Sequence, residues 1–218
     1  MITLKFCISA IALTALFSCS QTAKDGDNKA SDTSQTTTTT EAVPPVTEPT
    51  TASSQPSLKE ITLSTGKKVI IEETHPNGAS LSNIKVWFAD NQASEMVYSD
   101  VDPINRVLTG DLDANKFDEI YIWTTSAASG SYGKIIGLAS LGDKSFALVN
   151  LPEVGEKDLA PGGNFEGYEG HDEFDIIENS LSRTFPVKSD KGSKRAINYK
   201  MKPGEAGYQL WVKTSTVY

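Results

Sequence analysis

The sequence predicts an all-β domain, a sandwich or barrel of antiparallel strands, set behind a disordered N-terminal tether. Three observations carry that prediction. Short runs rich in β-branched and aromatic residues recur along 58–218, Ile84–Ala89 and Glu119–Thr125 among them. Turn-forming clusters separate the runs, as at Ser64-Thr65-Gly66 and Leu141-Gly142-Asp143-Lys144. No apolar period of 3.6 residues persists beyond two helical turns, so long helices are not expected.

Residues 1–18 form a lipoprotein signal peptide and not a part of the fold. Lys5 supplies the positive start, and Phe6–Phe17 is apolar but too short to span a bilayer. Leu16-Phe17-Ser18-Cys19 then reads as a lipobox in which Cys19 is acylated and becomes the mature N-terminus. Ser20 is not an acidic retention signal, so an outer-membrane lipoprotein is expected, facing the periplasm or the cell surface. The lipid is the only membrane contact expected. The chain has 2 cysteines, Cys7 and Cys19. Cleavage removes one and acylation uses the other, so the domain must rely on its hydrophobic core, without disulfides.

Residues 19–57 are the tether. They hold the run Thr36–Thr40, the pair Pro44-Pro45 and almost no large apolar side chains. Such a segment buries too little surface to offset the entropy of ordering it. Its typical end-to-end reach is about 35 Å.

The domain then runs from 58 to 218. Leu58–Leu63 and Lys68–Glu72 flank a turn and form a hairpin. Ile84–Ala89 is a strand, Met96–Ser99 a short one, and Arg106–Thr109 leads into an acidic turn. Glu119–Thr125 is the central strand. Ile135–Ser140 pairs with Phe146–Asn150, and 151–170 is a long loop containing glycine and proline. Two more hairpins follow, Glu173–Ile177 with Ser180–Val187, and Ala196–Met201 with Tyr208–Lys213. The formal net charge is -8, so no nucleic-acid partner is expected.

Four features carry possible chemistry. Asp111, Asp113, Asn115 and Glu119 occupy alternate positions of a calcium-loop-like pattern, which can wrap a hard cation in oxygen ligands. Lys116 stands where such loops carry glycine, and its charge opposes a bound cation. An Asx-stabilised turn without metal is therefore favoured, and no cofactor is expected, calcium being the alternative. Tyr121 and Trp123 share one face of the central strand and Ile120 and Ile122 the other. Core on both sides is the expectation, and a sugar-stacking platform on Tyr121 or Trp123 the alternative. His171-Asp172 beside Ser129 and Ser131 invites a Ser-His-Asp reading, but no Gly-x-Ser-x-Gly elbow is present, and a structural histidine is favoured.

The fourth feature is the loop Ser126–Lys134, Ser-Ala-Ala-Ser-Gly-Ser-Tyr-Gly-Lys. It holds no acidic residue although the domain is acidic. Its small residues make it thin, its hydroxyls and amides are donors, and Tyr132 is a rigid aromatic anchor. A loop of this kind suits a cleft lined with carboxylates, such as that of a glycoside hydrolase. A plain flexible hairpin is the alternative.

Gly110-Asp111-Leu112-Asp113, the hydrophobic strand after it, and Ser126-Ala127-Ala128-Ser129-Gly130-Ser131-Tyr132 together resemble the periplasmic inhibitors of I-type (invertebrate) lysozymes. The resemblance covers about 30 residues, with Ala128 where the family pattern has glycine. It implies a β-sandwich whose loop plugs the lysozyme active-site cleft, with Ser129, Gly130, Ser131 and Tyr132 at the partner surface. The expectation is thus a non-enzymatic, lipid-tethered inhibitor of lysozyme. The alternatives are a glycan-binding lipoprotein, calcium-dependent in one form, and a hydrolase using His171.

Overall fold

The structure, a computed structural model, describes residues 55–76, 79–188 and 192–218. The signal peptide, Cys19 and the tether as far as residue 54 lie outside the described residues. The described part is all-β, with antiparallel and mixed sheets forming a nearly closed, barrel-like sandwich.

A four-stranded antiparallel meander comes first. Its strands are β1 (Ser57–Thr62), β2 (Lys68–Thr74), β3 (Ser82–Phe88) and β4 (Asn91–Val101), paired in that order. β1 opens at Ser57, one residue before the expected start of the domain. β4 is much longer than the expected Met96–Ser99. It is an edge strand with mostly exposed side chains, so its polar residues hide it from a hydrophobicity reading.

The larger sheet has eight strands: β5 (Ile104–Gly110), β6 (Glu119–Thr125), β7 (Gly133–Ser140), β8 (Phe146–Asn150), β9 (Glu173–Ile177), β10 (Ser180–Pro186), β11 (Lys194–Gly204) and β12 (Gly207–Val217). Their spatial order is β5-β6-β7-β8-β12-β11-β10-β9. One join departs from the antiparallel expectation: β8 and β12 run parallel, pairing Tyr208 with Val149 and Gln209 with Asn150. The sheet curls until its edges approach. Arg106 of β5 lies 3.8 Å from Asp175 of β9, and a Cβ on Gly110 would sit 3.0 Å from Ile176. β11 and β12 run on to Gly204 and Gly207, beyond the expected Met201 and Tyr208, and leave Glu205-Ala206 as the turn. A single-turn helix, α1 (Glu156–Leu159), interrupts the long loop.

β6 is the strand on which both cores are built. Alternate side chains leave opposite faces of a strand. Ile120 and Ile122 therefore point into a core shared with Val69, Ile71, Ile84, Val86 and Phe88 of the meander. Tyr121 and Trp123 point the other way, into the barrel, among Leu181, Phe185, Ile197 and Leu210. Their exposures are 0% and 8%, so core on both sides is what forms, and neither ring is available as a sugar platform. Asp118 joins the layers a second time. Its carboxylate accepts hydrogen bonds from the Ser64 N–H at 2.5 Å and the Ser64 hydroxyl at 2.9 Å, tying the β5–β6 turn to the β1–β2 turn.

Candidate functional site

The sequence from Ser126 to Tyr132 forms the loop between β6 and β7. Its small residues fold it tightly on itself. The Ser126 N–H donates to the Tyr132 carbonyl at 2.9 Å, closing the base, and the Ser131 N–H donates to the Ala128 carbonyl at 2.8 Å, forming the tip. Ser131 takes φ 42, a left-handed conformation that orients the residue before Tyr132. Ser129 is exposed, Gly130 and Ser131 are half-buried, and Tyr132 is 43% exposed. The four residues singled out from sequence are thus together at one surface.

The loop is propped from below. Beneath it, the segment Gly167–Asp172 folds back from β9 and fastens the loop at two points. The His171 N–H donates to the Gly130 carbonyl at 2.7 Å, and the Asp172 carboxylate accepts from the Gly133 N–H at 2.7 Å. Gly170 makes the approach possible: it takes φ +91, and a Cβ there would lie 2.0 Å from the Gly130 oxygen. Tyr132 meets Tyr168 edge to face, with ring centroids 5.9 Å apart.

Asp172 is anchored in turn. Its other oxygen accepts from Arg183 Nε at 2.7 Å, and the oxygen bound to Gly133 also accepts from the Tyr168 hydroxyl at 2.7 Å. Both ionic side chains are buried. The Arg183 guanidinium lies over the rings of Tyr168, Phe165 and Phe174, at 4.8, 5.0 and 5.5 Å from their centroids. Burial pulls the Arg183 pKa down, but the Asp172 hydrogen bond and charge outweigh it, so the net direction is upward. Burial, reinforced by Asp172, raises the Tyr168 hydroxyl well above its ordinary value, so it stays a donor. A cation held between carboxylate and aromatic faces makes a stiff base for a loop.

In this arrangement no Asp172–His171 side-chain hydrogen bond is present among the described residues. The Asp172 oxygens are occupied by Gly133, Tyr168 and Arg183, and His171 contributes its backbone N–H while its side chain is exposed. Sequence reading missed Gly170, Tyr168 and Arg183. An arginine within an alternating strand segment was the one available signal, because Arg183 at a core-facing position demands a buried partner. Beside the loop lies an open cleft of about 680 Å³, bordered by Ser129, Tyr132, Glu169, His171, Lys188 and Lys194. Lys188 pairs with Glu169 across it.

At the other end of β6, the acidic turn forms much as expected. Asp111 accepts from the N–H groups of Asn115 at 3.0 Å and Lys116 at 2.9 Å, and Asn115 Oδ1 accepts from the Phe117 N–H at 2.7 Å. Lys116 does adopt the strained left-handed region, at φ 77. Glu119 is fully buried, with Oε2 accepting from the Leu112 N–H at 2.6 Å. Burial pushes its carboxyl up to about 8, with the charges of Asp113, Asp111 and Asp118 adding to the rise.

Comparisons with protein-family models, with curated proteins and with solved structures found no match for this chain.

Proposed function

We propose that this protein is a lysozyme inhibitor, held at the outer membrane by a lipid on Cys19, that blocks the active-site cleft of an I-type lysozyme with its β6–β7 loop. One observation carries the reading: an acid-free loop of small hydroxyl-bearing residues projects Tyr132 from an acidic domain on a rigid, buried base. The resemblance of residues 110–132 to inhibitors of I-type lysozymes supports the same surface.

The chemistry is that of occlusion, without a reaction on the chain. A propped loop loses little conformational freedom on entering a cleft, so more of its contact energy is retained as affinity. Tyr132 fills a sugar subsite. Ser129 and Ser131 donate to the carboxylates of the lysozyme, and Gly130 keeps the tip thin enough for close approach. The negative body steers a basic enzyme toward the loop, a contribution that salt weakens through the association rate. The tether and lipid keep the inhibitor near the cell wall that lysozyme attacks.

Tyr121 and Trp123 are core, and Asp172 is engaged by Arg183. The test is to mix the protein with I-type, c-type and g-type lysozymes and follow lysis of cell walls. Inhibition of the I-type enzyme that is lost in Tyr132→Ala supports the reading. Undiminished lysis in all three mixtures removes it.

A further inference from the structure

Where the β5–β6 turn enters β6 there is a buried oxygen that nothing among the described residues satisfies. Glu119 is 0% exposed, its Oε2 is engaged by the Leu112 N–H, and its Oε1 has no hydrogen-bond partner among the described residues. An unpartnered buried carboxylate oxygen is destabilising and calls for an explanation. Burial lets Glu119 answer this by holding a proton, and a bound cation answers it in a second way. Carboxylate oxygens of Glu119, Asp111 and Asp113 all lie within 4.8 Å of one another, three acids converging on one point. Asp118, the fourth acid of the turn, is turned away and bound to Ser64.

We propose that Asp111, Asp113 and Glu119 bind a calcium ion, with Glu119 Oε1 as the buried ligand. A divalent cation satisfies the orphaned oxygen and neutralises most of the charge the three carboxylates bring together. The donor set is oxygen alone, which suits a hard cation. The ligands come from one short irregular turn, with waters free to complete a shell of 6 to 8, and this favours calcium over the strictly octahedral magnesium. Of the four residues picked out by spacing, Asn115 is not in the direct set. Its Oδ1 faces the Phe117 N–H and its amide donates to Asp113 at 3.0 Å, so it positions Asp113. Lys116 does not obstruct the site: its side chain is exposed, and its backbone N–H supports Asp111. A bound calcium would run against the metal-free expectation drawn from the lysine. The site lies at the opposite end of β6 from Tyr132 and does not depend on what the loop binds.

The test uses the full chain with calcium chloride, magnesium chloride or EDTA. Calorimetric titration should show one calcium per chain. The melting midpoint should rise by about 5 °C at a hundredfold excess of calcium over its Kd, and less in magnesium. Glu119→Gln keeps the acceptor for Leu112 but lowers the ligand charge. It and Asp113→Asn should each lose the calcium-dependent rise while melting near the wild type in EDTA. Amide shifts of the wild type give a second readout that no variant's folding can confound: calcium should move residues 111–119 before any others. Coincident melts in calcium and EDTA would overturn the site. So would a calcium response that survives both substitutions, or shift changes centred elsewhere.

Discussion

Tyr132 and the atoms that place it are where a single substitution is most telling. The ring is partly exposed and partly propped by Tyr168, so on the proposed function its removal should cost contact surface to lysozyme but little of the fold. Gly170 tests the placement without touching the contact. With φ +91 and the Gly130 oxygen 2.0 Å from where a Cβ would sit, Gly170→Ala must push the loop outward. Inhibition should weaken at least tenfold while Tyr132, Ser129 and Ser131 all remain. Steady-state inhibition assays on the variant check this, and an unchanged inhibition constant would mean that the loop position is immaterial. Ser131→Ala should cost less than loss of the tyrosine, at most the 1.5–3 kcal/mol typical of a hydrogen bond to a charged group.

At the scale of elements, β6 and its two flanking loops were legible in the sequence, and the base of the loop was not. β6 was legible because every position carries a local signal. Ile120 and Ile122 alternate with Tyr121 and Trp123, and two apolar faces on one strand mean two cores. The acidic turn showed in its own spacing. The Asp172–Arg183 pair did not show, because the two residues meet only once β10 has folded against the segment below the loop. The parallel contact of β8 with β12 was hidden for the same reason: no local pattern encodes which distant edge a short strand will join. That buried pair gives the prediction proper to this scale. Arg183→Met leaves the Asp172 carboxylate buried without its cation, at a cost of about 3–5 kcal/mol. Urea denaturation should show this as a lower midpoint with an unchanged slope. A loss below about 1 kcal/mol would mean that the pair is not what holds the base.

At the scale of the whole molecule, the reading joins a barrel-like sandwich, an acidic surface and a lipid tether into an inhibitor stationed beside the wall. The tether makes its own prediction. No apolar helix among the described residues is long enough to cross a membrane, and the lipid is the one anchor the reading provides. Cys19→Ser should therefore release the protein from the membrane fraction and abolish fatty-acid labelling, leaving the domain's inhibition intact. Labelling equal to the wild type would refute acylation at that residue. The central claim is tested most directly by one comparison: the inhibition constant of the wild type and of Tyr132→Ala against the same I-type lysozyme. Loss of a desolvated aromatic anchor should cost about 2 kcal/mol or more, which raises the constant roughly thirtyfold, with the melting midpoint nearly unchanged. If Tyr132→Ala inhibits as well as the wild type, the β6–β7 loop does not enter the cleft, and the account fails at its centre.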